Sequence, residues 1–323
     1  MRVLVTGGAG YVGSVVARAL LTHRHEVRVL DSLLYGGRAL LGLYPEESFN
    51  FVRGDIRSGE TVNHALQEIE AVIHLAAIVG DPACAKQPEL AREVNLDASI
   101  QLFELCQRQG VKRFVFASTC SNYGKMIDSS KYATEESELC PVSLYAETKV
   151  AVEKRILDAA ANHGMAVTVL RFATVFGLSP RMRFDLTVNE FTKELLTKRK
   201  LVVFGEQFWR PYIHVRDVAR AMTHLLDAPP GKVAGQVFNV GGTEQNYTKK
   251  DLVEVIRREI RDDVEIEYVY KAEDPRDYRV SFEKIKSSLG FSTTRTVLHG
   301  VREVIDAIKQ GVIVDLENSE NRN

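Results

Sequence analysis

"VLVTGGAGYVGS", residues 3–14, sets Gly7, Gly10 and Gly13 between a short β-branched run and the start of a helical pattern. A G-x-x-G-x-x-G spacing also occurs in ordinary turns, but here it has a partner. Asp31 ends the second apolar run, "VRVLD", 18 residues after Gly13. Glycines permit a tight turn and close approach of backbone to a pyrophosphate, whose charge the helix N-terminus receives. A carboxylate closing the second strand accepts hydrogen bonds from ribose hydroxyls and repels a 2′-phosphate. The pattern therefore predicts a dinucleotide site that prefers NAD to NADP. Arg38, just beyond, pulls towards a 2′-phosphate, and Asp31 outweighs it.

Outward from this turn the first half alternates strand and helix. Strands are expected at Arg2–Thr6, Val27–Leu30, Phe49–Val52, Ala71–Leu75, Arg113–Ala117 and Val167–Phe172. Long helical patterns cover Glu89–Gln109 and Ser143–Asn162, with Gly110 and Gly164 placed as C-terminal caps. Such alternation predicts an α/β fold, a doubly wound parallel sheet wrapped by helices on both faces. In "RGDIRS", Asp55 and Ile56 stand where they would flank an adenine, and Ala76 and Ala77 leave room for the dinucleotide backbone.

After Gly177 the regularity breaks at the arginine-bearing loop "LSPRMRFD". A helix at 186–198, strands at 201–204 and 212–214, and a helix at 215–226 follow. "RPYIHVRD" (210–217) and "VFNVGG" (237–242) are expected to return to the large sheet. That reading divides the chain into a dinucleotide-binding domain, 1–176 plus about 212–242, and a smaller α/β lobe, about 177–211 plus 243–315, with a polar tail at 316–323. A cleft between lobes is a usual place for a ligand.

The bulk numbers narrow the function classes. The 323 residues suit one large or two modest domains. With 42 basic and 43 acidic residues the net charge is -1, so no global field recruits nucleic acid or an anionic membrane. No apolar run reaches the ~18 residues of a membrane span, and "MRVLVTGGAG" reads as a strand and turn, not a secretory signal. Cys84, Cys106, Cys120 and Cys140 show no C-x-x-C or Cys/His ligand spacing. No metal site is predicted, and the thiols read as reduced, in a cytoplasmic compartment.

Two further stretches carry chemistry. In "SLYAETK", Tyr145 and Lys149 are i and i+4, one turn apart on one helical face. Tyrosine alone ionises near ~10, but a neighbouring ammonium and a cationic nicotinamide both favour the phenolate. Tyr145 so tuned takes a proton from a substrate hydroxyl as hydride leaves the carbon. By residue type alone the pair also fits an exposed helix face. "ASTCSNYG", 117–124, closes the fifth strand with hydroxyls, a thiol and a glycine, at the sheet edge where α/β proteins mount their chemistry.

The motifs "TGGAGYVGS", "LD", "GDIR", "HLAA", "ASTCSNYG", "SLYAETK", "LRFATVFG" and "RPYIHVRD" span almost the whole chain. In that order they resemble the extended short-chain dehydrogenase/reductase family, in particular its NAD-dependent nucleotide-sugar epimerases and dehydratases. The resemblance implies NAD on a Rossmann sheet and a nucleotide-diphosphate sugar in the cleft. It places Thr119 with Tyr145 and Lys149 as a catalytic triad. It adds Tyr11, Val12, Asn95 and Phe172 to the cofactor contacts, beside Tyr145 and Lys149 themselves. Thr119, Thr174, Asn189, Arg210 and Arg276 or Arg279 are the implied substrate contacts. Guanidinium groups suit a diphosphate because they bind it bidentately, although each arginine alone also fits a surface ion pair. His214 is read as structural. Relatives of this kind pair two helices per subunit into a four-helix bundle. The apolar Leu90, Val94, Leu96, Ile100, Leu102 and Leu105 accordingly imply a homodimer.

Departures from the family separate its activities. Sugar 4,6-dehydratases carry Asp and Glu where this chain has Cys120 and Ser121, which speaks against water elimination and against decarboxylation. Cys120 resembles the proton-exchanging cysteine of 3,5-epimerase/4-reductases and is a further catalytic candidate; a buried inert thiol is the alternative. Thr174 stands where many relatives have Asn. The resulting expectation is a nucleotide-sugar epimerase working through a transient 4-keto sugar by hydride transfer to and from nicotinamide. The alternatives are a 4-keto-6-deoxy nucleotide-sugar reductase and a non-catalytic dinucleotide-binding protein, the latter having no use for a tuned phenol.

Overall fold

The computed structural model describes every residue except 127, 129–130, 161–163, 261, 275 and 319–320. The chain opens with β1 (Arg2–Thr6), α1 (Tyr11–Thr22), β2 (Glu26–Asp31), β3 (Phe49–Arg53), α2 (Gly59–Ala65) and β4 (Ala71–His74). The expected helix at 89–109 is built in pieces. After a separate α3 (Asp81–Lys86), it comprises α4 (Pro88–Arg92), a π-helical turn at Glu93–Asp97, and α5 (Ala98–Arg108). Then come β5 (Arg113–Thr119), α6 (Leu144–Ala160), β6 (Ala166–Phe172) and β7 (Thr174–Phe176). The end expected for the helix of α6, at 161–162, lies outside the described residues, as does part of the tail. Gly110 takes the left-handed φ of 72° that its capping position demands.

Beyond Gly177 stand α7 (Thr187–Lys198), β8 (Lys200–Phe204), β9 (Trp209–His214), α8 (Val215–Asp227), α9 (Pro230–Val233) and β10 (Gln236–Val240). The last described elements are β11 (Asn246–Thr248), α10 (Lys249–Ile260), β12 (Glu265–Val269), α11 (Glu283–Leu289) and α12 (Val297–Lys309).

The large sheet has the order β10-β6-β5-β4-β1-β2-β3, every pairing parallel. Its residues alternate between two cores, as a pleated strand requires. Val3, Val5, Val29, Ile73 and Val115 face α1 and α8. Leu4, Leu30, Val72, Phe114 and Phe116 face α2, α5 and α6. This is a doubly wound Rossmann sheet. Chain order reverses between β1 and β4, which opens a crevice at the carboxyl ends of the strands.

One expected strand goes elsewhere. "VFNV" joins the large sheet as β10 beside β6, but "RPYIH" does not. β9 pairs in parallel with β7 and antiparallel with β11 in a separate three-stranded sheet. The large sheet already takes β10 as the neighbour of β6, whose other edge β5 fills. Val203, Leu252, Ile256, Val297 and Val301 form the core of the smaller lobe. The expected tail packs back through its described residues. Leu316 lies against Met182 and Phe184, and the fully buried Lys193 donates to Glu317 at 2.7 Å.

Candidate active site

Parallel register brings the ends of β1, β2, β4 and β5 to one edge, with Thr6 opposite both Leu30 and His74, and His74 opposite Phe116. The glycine turn begins there. Gly7 has φ +73°, and a Cβ on it would stand 2.7 Å from the Ala76 backbone nitrogen. A Cβ on Gly13 would overlap the Gly7 carbonyl. Only glycine lets the turn fold on itself and bring the start of α1 to a ligand. Asp31 closes β2. Its two carboxylate oxygens accept from Ala9 N at 2.9 Å and Leu33 N at 2.8 Å. Burial raises its pKa against those two bonds and the charge of Arg181. Arg181 itself stacks on Tyr35 at 4.2 Å and was not singled out from the sequence. A cradle that side chains would fill and a carboxylate at the ribose position fit a bound NAD.

Several sequence candidates turn out to hold the site from behind. Asn95 is fully buried, and its amide both accepts from Ile78 N (2.8 Å) and donates to Ile78 O (2.9 Å). It fixes the loop after β4 instead of facing the crevice. Tyr11 donates to Gly177 O at 2.6 Å, which ties the glycine turn to the loop 177–185. Asn189 serves the same joint, accepting from Gly177 N and donating to Tyr11 Oη and Arg183 O. Asp55 is engaged by Arg57 at 2.9 Å, which lowers its pKa. Ile56 and Phe172 are buried. Val12, in the first turn of α1, packs on the core, and Ala77 is half-buried.

Cys120 corrects a catalytic expectation. It is 1% exposed, its thiol donates to Arg171 O, and burial pushes its pKa well up. A thiol so placed is a core group, not a proton carrier.

Thr119 ends β5, and its hydroxyl accepts from Ser121 N at 3.1 Å. Lys149 is buried, donates to Ala117 O at 2.8 Å and lies 5.9 Å from the Tyr145 ring centroid. Burial brings its pKa down to about 8. The Tyr145 phenol is pushed up by burial, and Cys84 and Asp81 add to the rise. Arg183 is the charge that opposes this rise. The sequence reading assigned that part to Lys149 and passed over Arg183 as a loop residue. Its guanidinium pairs with Asp185 at 2.5 Å. His214 is structural as expected, accepting from Arg216 N at the start of α8 and meeting Glu303 at 2.5 Å.

On the smaller lobe, cations converge on Asp274. Arg210 pairs with it at 2.8 Å, Lys249 stands at 3.9 Å, and Arg276 Nε at 3.9 Å. Arg276 also reaches across the cleft to Asp81 at 2.8 Å. Burial, against the pull of Asp274 and helped by repulsion from Arg210 and Arg276, lowers the Lys249 pKa. Arg279 stacks between Tyr132 (4.8 Å) and Trp209 (5.0 Å), and Thr174 is half-buried on β7. Lys249, missed in the sequence, also lines a cavity of about 690 Å³ with Thr187, Glu190, Phe191, Lys200 and Phe204. No group of His, Cys, Asp and Glu among the described residues could hold a metal, and no helix among them is long and apolar enough to cross a membrane.

Proteins of known activity share this fold. The chain is 31% identical to a UDP-glucose 4-epimerase of Corynebacterium glutamicum, covering 94% of each. It is 30% identical to a dTDP-glucose 4,6-dehydratase of Streptomyces niveus, covering 95% of this chain and 92% of that one. Its fold is similar to the crystal structure of UDP-glucuronic acid 4-epimerase from Bacillus cereus, in complex with UDP-glucuronic acid and NAD. The TM-score is 0.86 and the identity 26%, over 96% of this chain and 99% of that one. Residues 3–241 match the sequence model of the NAD dependent epimerase/dehydratase family, and the chain belongs to that family.

Proposed function

We propose that this chain is an NAD-dependent nucleotide-sugar epimerase acting through a transient 4-keto sugar. The observation that carries the reading is the sequence of groups along one cleft. The glycine cradle and Asp31 stand at one end, Tyr145 and Lys149 beside the end of β5, and Arg210, Arg276 and Lys249 on the opposite lobe. The cofactor domain is then 1–176 with about 212–242, and the sugar lobe about 177–211 with 243–315. Gly7, Gly10, Gly13 and Asp31 hold NAD, which when bound supplies the hydride acceptor and donor.

The chain's own residues handle protons and position. Tyr145 takes the proton of the sugar's C4 hydroxyl and returns it, and Thr119 hydrogen-bonds the same oxygen. Arg210, Arg276 and Lys249 clamp the diphosphate, and the cavity lined by Lys249 and Phe204 takes the nucleoside. Anchoring the sugar at its diphosphate leaves the hexose free to present either face. Dehydratase chemistry lacks its groups: Cys120 is buried, and Ser121 lies 3.3 Å from the Tyr278 hydroxyl.

The test is a panel of UDP-, GDP-, dTDP- and CDP-hexoses followed by NMR without added NAD(P)H. C4 epimers should interconvert, and deuterium placed at C4 should remain on the product. Stoichiometric NADPH oxidation by a 4-keto-6-deoxy sugar, with no alcohol epimerised, would replace the epimerase by a reductase.

A cytoplasmic homodimer completes the proposal. Leu102 and Leu105 are buried within the subunit, whereas Leu90, Val94, Leu96 and Ile100 are half-buried and remain for a four-helix bundle with α6. Light scattering at micromolar concentration should give twice the 36.2 kDa chain mass; a monomer mass would remove the dimer.

A further inference from the structure

We infer that Glu153, one turn beyond Lys149 on the same face of α6, is a positioning residue of this site: it fixes the strand end that bears Thr119 and supplies the counter-charge of the Lys149 ammonium. The inference rests on the Thr119–Tyr145–Lys149 reading given above. Glu153 is 1% exposed, and a lone carboxylate there would be strongly disfavoured. It is held instead by donors from three residues. Oε1 accepts from the Ser118 hydroxyl and from Asn122 Nδ2. Oε2 accepts from Arg171 NH2 at 2.7 Å and Nε at 3.1 Å.

Ser118 and Asn122 flank Thr119 in sequence. Ala117, on the other side of Ser118, is the residue whose carbonyl receives Lys149 at 2.8 Å. Glu153 and Lys149 therefore grip adjoining residues of one strand end from one helix. Arg171 is fixed in turn by the Tyr123 hydroxyl at 3.1 Å, and that hydroxyl donates to Asn239 at 2.6 Å. A carboxylate needed only to neutralise Arg171 would not need to bond Ser118 and Asn122 as well.

The electrostatics agree in sign. Burial lowers the Lys149 pKa, and Glu153 is the first group that opposes this, followed by Cys84. The other titratable groups around Lys149 are His74, Cys84 and Tyr145, and Arg171 pairs with Glu153 itself. His74 is held neutral by burial and by Lys149 itself, and burial keeps Tyr145 and Cys84 protonated. Asp81 and Arg183 act at Tyr145. Removing the Glu153 charge thus favours neutral Lys149, and whatever depends on the ammonium is lost at a lower pH.

The experiment titrates Lys149 directly by NMR in full-length protein carrying [13Cε]lysine, with its signal assigned by its loss in Lys149→Met. Wild type should titrate near 8, and Glu153→Gln should titrate lower by about one unit. Glu153→Gln leaves Arg171 buried without its partner and is prone to misfold. Glu153→Gln/Arg171→Gln removes both charges together and, measured against Arg171→Gln alone, should show the same downward displacement. In epimerisation assays the falling limb of kcat at high pH should move down with it, KM staying nearly constant. The wild-type advantage should then shrink towards pH 6.5.

A Lys149 titration no lower in the folded double variant than in Arg171→Gln would overturn the inference, as would a kcat loss equal at every pH. Because the NMR titration needs no turnover, it tests Glu153 even when Tyr145→Phe shows that the catalytic reading itself has failed.

Discussion

Tyr145→Phe should lower epimerase turnover by roughly 10²–10⁴, the usual share of a positioned proton carrier. The substitution removes the hydroxyl and leaves the ring, which packs beside Ile78 and Cys84. The reaction needs that hydroxyl to alternate between phenol and phenolate. In the structure burial holds it as phenol, with Arg183 the largest opposing charge. Binding of a cationic nicotinamide would add a second one. Phenylalanine can neither take nor return the C4 proton, so the loss should fall on kcat, with little change in KM. The cofactor should remain bound, since the glycine turn and Asp31 lie at the ends of β1 and β2. Steady-state kinetics beside NAD titration checks both halves. Unchanged turnover in a folded, NAD-binding Tyr145→Phe protein would remove Tyr145 as the base.

Gly13→Ala should cripple the dinucleotide site through sterics alone. An alanine Cβ at that position overlaps the Gly7 carbonyl and falls 2.7 Å from Gly8 Cα. Both are backbone atoms, so no side chain can rotate away. Forcing such a group into a packed site costs about 1–3 kcal/mol. If the turn yields while the rest of the fold holds, that is roughly a 5- to 150-fold loss of NAD affinity. Gly10→Ala is the control, because its Cβ meets only the Gly7 carbonyl at 3.2 Å, and its loss should be much smaller. Calorimetric titration with NAD and thermal unfolding without it separate affinity from stability. A Gly13→Ala protein matching wild type in both would show that the turn is looser than this packing requires.

The sequence by itself determined the elements whose signals are local. The glycine turn, Asp31 at its strand end and the Tyr145–Lys149 pair all follow from spacing within one loop or one helical turn. The alternation of strands and helices likewise needs only short windows of hydrophobic period. Only tertiary structure decided which distant residues meet. Arg276 and Asp81, or Glu153 and Arg171, become partners when two lobes, or a helix and a strand, are brought together. No periodicity records that pairing. Burial was equally invisible in residue type. Cys120, Asn95 and Asn189 have side chains suited to a ligand site, yet each is directed into the protein's own backbone. A buried polar group must find a partner wherever the fold places one. β9 left the large sheet for the same kind of reason. An apolar strand pairs with whichever edge the completed topology leaves open, and here that edge belonged to β7 and β11.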